Sequence, residues 1–244
     1  MSATVLQLSD IHFAGQPAEL VHGLDPDARL ARVLDAWRAL HIDVDLVVLT
    51  GDIAEDASHT ALERVAAAVA PLAAPVLAVA GNHDDARAVV DVFGPPCAVD
   101  VGGWRIVGID TTRPGDAHGT IDVDATAAAL DEAPDVVTML AIHHPPVSRS
   151  TLAMFRLDGG ERLLDALADR PHVKAVLSGH LHDDFSFEGR GGVALLGCPS
   201  TYGALTHDGD TYEIHPDAPI GARILHLDDD GTFATTVLVV DPVG

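Results

Sequence analysis

Five short clusters in this sequence carry residue types that bind metal ions: Asp10-Ile11-His12, Gly51-Asp52, Gly81-Asn82-His83-Asp84, His143-His144 and Gly179-His180-Leu181-His182. They offer carboxylate, amide and imidazole donors and no thiolate. Such a set suits Zn, Mn, Fe, Co or Ni and argues against a structural Cys-rich zinc site. The donors outnumber what one tetrahedral ion needs, and two ions sharing a bridging carboxylate would account for the surplus. Singly the clusters say less. Asp-x-His and Gly-Asp after a strand are ordinary turn chemistry. Gly-Asn-His-Asp is less ordinary, because histidine has no turn role there. Gly-His-x-His is the most telling fragment: imidazoles at i and i+2 of an extended segment project to the same side, so both are expected to face one site.

Each cluster closes a short apolar run. Residues 4–8, 45–49, 75–80, 136–142 and 173–177 read as buried strands, with a further strand at 104–109. Between them lie helical stretches at 25–40, 58–70, 122–131 and 160–168, and a short one ending near Phe93. In the first, Leu30, Val33, Leu34, Trp37 and Leu40 recur at helical spacing. Ser58 and Asp85 stand where N-caps belong. Strands alternating with helices predict parallel pairing, and in such sheets ligands gather outside the carboxyl ends of the strands. From 183 to 240 the texture changes to β-like segments broken by Gly, Asp and Pro, expected to be hairpins that complete a second sheet. No composition break marks a linker, so one domain spanning 1–244 is expected.

Acidic residues outnumber basic ones 37 to 14, and Lys174 is the only lysine. A net charge of -23 opposes binding to nucleic-acid polymers, which depends on neutralising phosphates, and to anionic membranes. A small-molecule partner is the remaining expectation. Cys97 and Cys198 form no CxxC pair and are expected to be reduced and buried. No basic stretch followed by a long apolar one opens the sequence, and no run reaches membrane-spanning length, so a cytoplasmic location is expected.

The ordered series DxH, GD, GNHD, H, GHxH resembles the signature of the calcineurin-like metallophosphoesterases, across residues 10–182. The Gly-Asn-His-Asp form and the segment His143-His144-Pro145-Pro146 look like those of bacterial class III cyclic-nucleotide phosphodiesterases, and glycerophosphodiesterases of similar build share them. The resemblance implies an α/β fold: a four-layer αββα sandwich with two facing mixed sheets and the site at one edge. It implies two divalent ions (Mn, Fe, Zn or Co), one on Asp10, His12 and His182, the other on Asn82, His143 and His180, with Asp52 bridging. His143 is preferred to His144 because the family's ligand stands two residues before the first proline. His83, beside Asn82 but not itself a ligand, is the expected general acid.

The implied reaction is hydrolysis of small phosphodiesters, 3′,5′-cyclic nucleotides among them, by in-line attack of a metal-bridging hydroxide. Two alternatives stand beside it. A phosphomonoesterase acting on a nucleotide or sugar phosphate would need a positive group for the extra charge. A non-catalytic scaffold would be expected to have lost ligands or the acid. Glu55 occupies the position where purple acid phosphatases carry a tyrosine ligand, which disfavours that subfamily. The roles of Asp84, His144, Arg113, Arg149 and Arg156 stay open, as does the oligomeric state. His207 and His215 are expected to be exposed, and any cap over the site is expected within 147–158.

Overall fold

The computed structural model describes residues 2–208 and 211–242. The first half runs β1 (Ala3–Leu8), α1 (Pro26–Ala39), β2 (Leu46–Thr50), α2 (His59–Val69), β3 (Val76–Val79), α3 (Ala86–Phe93), β4 (Ala98–Val101), β5 (Trp104–Gly108), β6 (Gly119–Thr120), α4 (Val123–Leu130) and β7 (Val137–Ala141). The second runs β8 (Leu157–Asp158), α5 (Gly160–Ala168), β9 (Val173–Ser178), β10 (Ser186–Glu188), β11 (Ala194–Gly197), β12 (Ala204–Asp208), β13 (Thr211–His215), β14 (Ile220–Leu227) and β15 (Phe233–Val240).

One sheet has five strands in the order β15-β14-β1-β2-β3, and the other has six in the order β10-β11-β9-β7-β5-β4. Strand periodicity explains the layering. Successive side chains point to opposite faces, so Val5, Leu46 and Val48 of the first sheet meet Met139, Ala175 and Leu177 of the second in a core between the sheets. Their alternates Leu6, Leu8, Val47 and Leu49 pack instead against Leu30, Val33, Leu62 and Val65 of α1 and α2. Leu140 and Val176 of the second sheet pack on Leu163, Leu164 and Leu167 of α5. The result is the expected αββα sandwich of mixed sheets. Covering on both faces is why the central strands read as unbroken apolar runs rather than alternating ones. Asp25, Ser58, Asp85 and Asp122 each cap a helix, accepting from Ala28, Ala61, Arg87 and Ala125 N–H respectively. Each cap contributes about 1 kcal/mol.

Three expectations need correction. The C-terminal strands do not all complete one sheet. β14 pairs antiparallel with β1 and carries β15 into the first sheet, whereas β10 and β11 extend the second. The eight residues of β14 are buried almost throughout, which suits a strand covered on both faces beside β1. β12 and β13 join neither sheet and pair only with each other. Finally, Cys97 is exposed; only Cys198 is buried, its thiol pushed up to about 12 by burial. Among the described residues, no helix is long and apolar enough to cross a membrane.

Candidate active site

The loops after β1, β2, β3, β7 and β9 bring Asp10, His12, Asp52, Asn82, His143, His180 and His182 together, and all but Asn82 are buried. The backbone is bent hard to do so. Asp10 (φ 52), His12 (φ 55), Asp52 (φ 48), His180 (φ 70) and His182 (φ 51) all lie in the left-handed region. Non-glycine residues there cost roughly 1–3 kcal/mol each. The loops hold one another in this shape: Ile11 and His12 N–H both donate to Asp52 O (2.8 and 2.9 Å), and His180 N–H donates to Asp10 Oδ1 at 3.0 Å. The expectation of an extended Gly-His-x-His segment is therefore wrong in geometry. With both residues left-handed, the two rings part company. His180 packs on His143 and His144 (centroids 4.8 and 4.5 Å), and His182 lies by His12 at 5.1 Å.

Outer hydrogen bonds fix which nitrogen of each ring is free. A carbonyl oxygen can only accept, so the partnered nitrogen must carry the proton. His182 Nδ1–H donates to Gly203 O (2.6 Å), His143 Nδ1–H to Thr50 O (2.7 Å) and His180 Nε2–H to Met154 O (3.0 Å). His12 Nδ1–H donates to the Glu55 carboxylate at 2.6 Å. When neutral, the rings present Nε2 of His12, Nε2 of His182, Nε2 of His143 and Nδ1 of His180 as lone-pair donors. This is the outer-ligand arrangement that orients metal-bound histidines.

What these free atoms face tests whether cations fit. The Nε2 atoms of His12 and His182 stand 3.2 Å apart. Two lone pairs at that distance repel unless a cation lies between them. Asp10 Oδ1 is 3.5 Å from His182 Nε2, and Asp52 Oδ2 is 3.9 Å from His12 Nε2, adding negative charge at the same place. His143 Nε2 likewise meets only acceptors, Asn82 Oδ1 at 3.1 Å and Asp52 Oδ2 at 3.4 Å. Burial opposes charge on His143, yet the Asp52 carboxylate outweighs it and pushes the ring up to about 9. Burial alone dominates at His182, pushed down to about 4. The donor set asks for positive charge and fits divalent ions. Distance alone would also group His143, His144 and His180. His144, however, has both nitrogens engaged, Nδ1 with the Thr111 hydroxyl (2.8 Å) and Nε2 with Ala117 O (3.1 Å), and burial pushes it down to about 3. It supports the loop and offers no free donor atom.

The motif glycines are there for space. A Cβ on Gly81 would lie 2.2 Å from both the Asp52 amide nitrogen and Oδ1, and one on Gly179 would lie 2.0 Å from Ser9 Oγ and 2.8 Å from Asp10 Oδ2. Gly81→Ala should therefore push the Asp52 carboxylate out of place. The expected result is loss of bound metal and a lowered melting temperature, read by elemental analysis and thermal unfolding; an unchanged metal content would refute it.

Asp84 does not orient His83. Its carboxylate accepts from Gly81, Ile53 and Ala54 N–H, tying the loop after β3 to that after β2. Burial, then the nearby Asp52 charge, push it up to about 6. His83 is 39% exposed; its N–H donates to Asp52 Oδ1 (2.8 Å) and its Nδ1–H to Glu55 O (3.1 Å), leaving Nε2 free. Glu55 matters more than its sequence position suggests: it binds His12 and lies 3.4 Å from His83 Nδ1. An acid three residues after Asp52 in the same loop was the available signal.

The arginines are engaged elsewhere. Arg113 pairs with Asp158 and touches His118, Arg149 pairs with Asp183, and Arg156 donates to Thr151 O. His207 is not exposed as expected. It is partly buried, with its ring 4.4 Å from that of Phe155, and His215 is partly buried too, bonded to the Thr206 hydroxyl at 2.6 Å.

A cavity that runs out into open solvent lies over this cluster. Its lining combines the polar residues His12, His22, Asp52, Glu55, Asn82, His83, His180 and His182 with Met154, Phe155, Tyr202, Leu205, Tyr212 and Ile214. Met154 and Phe155 come from the stretch expected to hold any cap.

Residues 3–184 match the family model described as calcineurin-like phosphoesterase. A 3′,5′-cyclic adenosine monophosphate phosphodiesterase of Pseudomonas aeruginosa is 33% identical over 99% of this chain and 92% of its own length. A probable cyclic nucleotide phosphodiesterase of Synechococcus is 32% identical over 99% of this chain and 94% of its own. A crystal structure of a dimetal phosphatase from Danio rerio has a TM-score of 0.63 at 16% identity, covering 99% of both chains, a likeness of fold. With the family model matched over residues 3–184 and a relative 33% identical over nearly the whole chain, the chain belongs to the calcineurin-like phosphoesterase family and is a phosphoric ester hydrolase.

Proposed function

We propose that this enzyme is a dinuclear phosphodiesterase for small phosphodiesters, with 3′,5′-cyclic nucleotides as its leading substrate class. Asp10, His12 and His182 would hold one ion and Asn82, His143 and His180 the other, with Asp52 shared; Mn, Fe, Zn and Co all suit these donors. When bound, such ions supply Lewis acidity toward phosphoryl oxygens and make water a competent nucleophile near neutral pH. His83, entering the step as the imidazolium, would give its Nε2 proton to the leaving alkoxide and return to the neutral ring. Its Nδ1–H is held by Glu55 O, so Nε2 is the nitrogen that meets substrate.

The observation that carries the diester reading is the cavity lining. Among the described residues it includes no lysine or arginine. A monoester dianion would find no permanently charged side chain for its second charge, whereas a diester monoanion needs none. The names of the relatives in Pseudomonas and Synechococcus support the cyclic-nucleotide class.

The test is turnover of metal-loaded protein on bis(p-nitrophenyl) phosphate, p-nitrophenyl phosphate, 3′,5′-cAMP and 2′,3′-cAMP. We expect a strong preference for diesters, with 3′,5′-cAMP hydrolysed; a monoester preference would overturn the reading. Prior treatment with EDTA is expected to abolish activity and added Mn²⁺ to restore it. Full activity in protein shown to be metal-free would refute the metal assignment.

A further inference from the structure

The hairpin of β12 and β13 belongs to neither sheet, and its sequence alternates. Leu205 pairs across with Ile214, and His207 with Tyr212, placing all four on one face. The other face carries Thr206 opposite Glu213. The apolar face is laid over the metal-binding edge. Leu205 packs with the core under α5, and Ile214 packs with Tyr202 and Val21. His207 and Tyr212 both approach the ring of Phe155 edge-on, at 4.4 and 5.7 Å between centroids. Phe155 in turn contacts His180 at 5.0 Å.

Leu205, Ile214, His207 and Phe155 are thus committed to packing. Tyr212 meets Phe155 edge to face, lines the cavity and remains 48% exposed. The cavity thus sets the candidate metal ligands beside an apolar wall of Met154, Phe155, Leu205, Tyr212 and Ile214, which meets them where Phe155 contacts His180. A ligand matching both parts joins a phosphodiester to a flat, largely apolar ring.

We propose that this hairpin face, with Tyr212 as its exposed ring, is a stacking platform for the planar base of the substrate, and that it reads the face of the base rather than its edge. The inference deepens the phosphodiesterase reading and rests on it for the substrate class. Edge readout needs fixed donors and acceptors, and few are offered beside Tyr212: the Tyr202 hydroxyl is committed to Val21 O, and the His22 side chain is 65% exposed. Stacking tolerates any base, because every base has a π-face. Discrimination between adenine and guanine should accordingly be weak.

Binding of nucleosides, which lack phosphate, isolates the platform from the metal chemistry. Mn-loaded protein would be titrated with adenosine, guanosine and ribose, followed by ligand-observed NMR. Adenosine and guanosine are expected to bind within about threefold of each other and ribose not detectably. Tyr212→Ala should weaken both nucleosides about tenfold, and Tyr212→Phe should restore them. Nucleoside binding equal in wild type and Tyr212→Ala, or a preference above about a hundredfold for one base, would overturn the platform. Base binding that responds to Tyr212 in an enzyme that does not hydrolyse 3′,5′-cAMP would leave the platform standing and remove the cyclic-nucleotide reading instead.

Discussion

Asp52→Ala is expected to strip both ions from the protein and abolish turnover. The residue is buried, and Oδ2 lies 3.4 Å from the free nitrogen of His143 and 3.9 Å from that of His12. It thus lies within reach of both halves of the cluster, with Asp10, which also groups with His143, beside it. Without it each half loses its shared anion, and the charge balance that draws cations in is lost at both sites together. Lewis acidity contributes several kcal/mol to phosphoryl transfer, so a fall of about 10³-fold or more in kcat/KM is expected. A structural loss comes with it. Asp52 Oδ1 accepts the His83 N–H at 2.8 Å, and an orphaned amide costs about 1–3 kcal/mol. Asp52→Asn separates the two effects. It keeps an acceptor for His83 and the shape of the site but removes the charge, so the fold should persist while metal is lost. Elemental analysis of both variants with their kcat/KM values is the check. Two ions per chain in Asp52→Ala would show that the carboxylate is not shared.

The parts of this site that could be read from sequence are those set by local pattern. A ligand at the end of an apolar run is visible because the run predicts the strand and the strand predicts the edge. The caps Ser58 and Asp85 are visible for the same reason, since capping depends on a side chain and an amide two or three residues apart. What was hidden depends on tertiary placement. β14 pairs with β1, more than two hundred residues upstream, and nothing in its own sequence distinguishes that partner from the second sheet. The left-handed backbone at His180 comes with an N–H bond to Asp10 across the site, so the two imidazoles reach one cavity by a route other than the extended i, i+2 geometry. Phe155 and Tyr212 read as unremarkable apolar residues until the hairpin folds over the edge. Glu55 shows in the sequence only as a position without a tyrosine, although its carboxylate fixes the tautomer of His12.

His83→Ala should retain both ions and lose turnover, because the backbone and side chain of this residue do different jobs. The main-chain N–H anchors Asp52, and alanine keeps it. The imidazole contacts Glu55 through Nδ1 and has its other nitrogen free in the cavity, so alanine removes only the proton source. General acid catalysis contributes about 10²–10⁴-fold, and most where the leaving group is a strong base. Hydrolysis of 3′,5′-cAMP, which expels an alkoxide, is therefore expected to fall by that factor. Bis(p-nitrophenyl) phosphate, which expels a stabilised phenolate, should fall far less. The ratio of the two losses distinguishes an acid from a residue that merely shapes the site, since a displaced metal would slow both substrates alike. Equal losses on both, or none on cAMP, would remove His83 from the role of acid. The proton would then have to reach the leaving oxygen from solvent, which the exposure of His83 at the mouth of the cavity makes the next candidate.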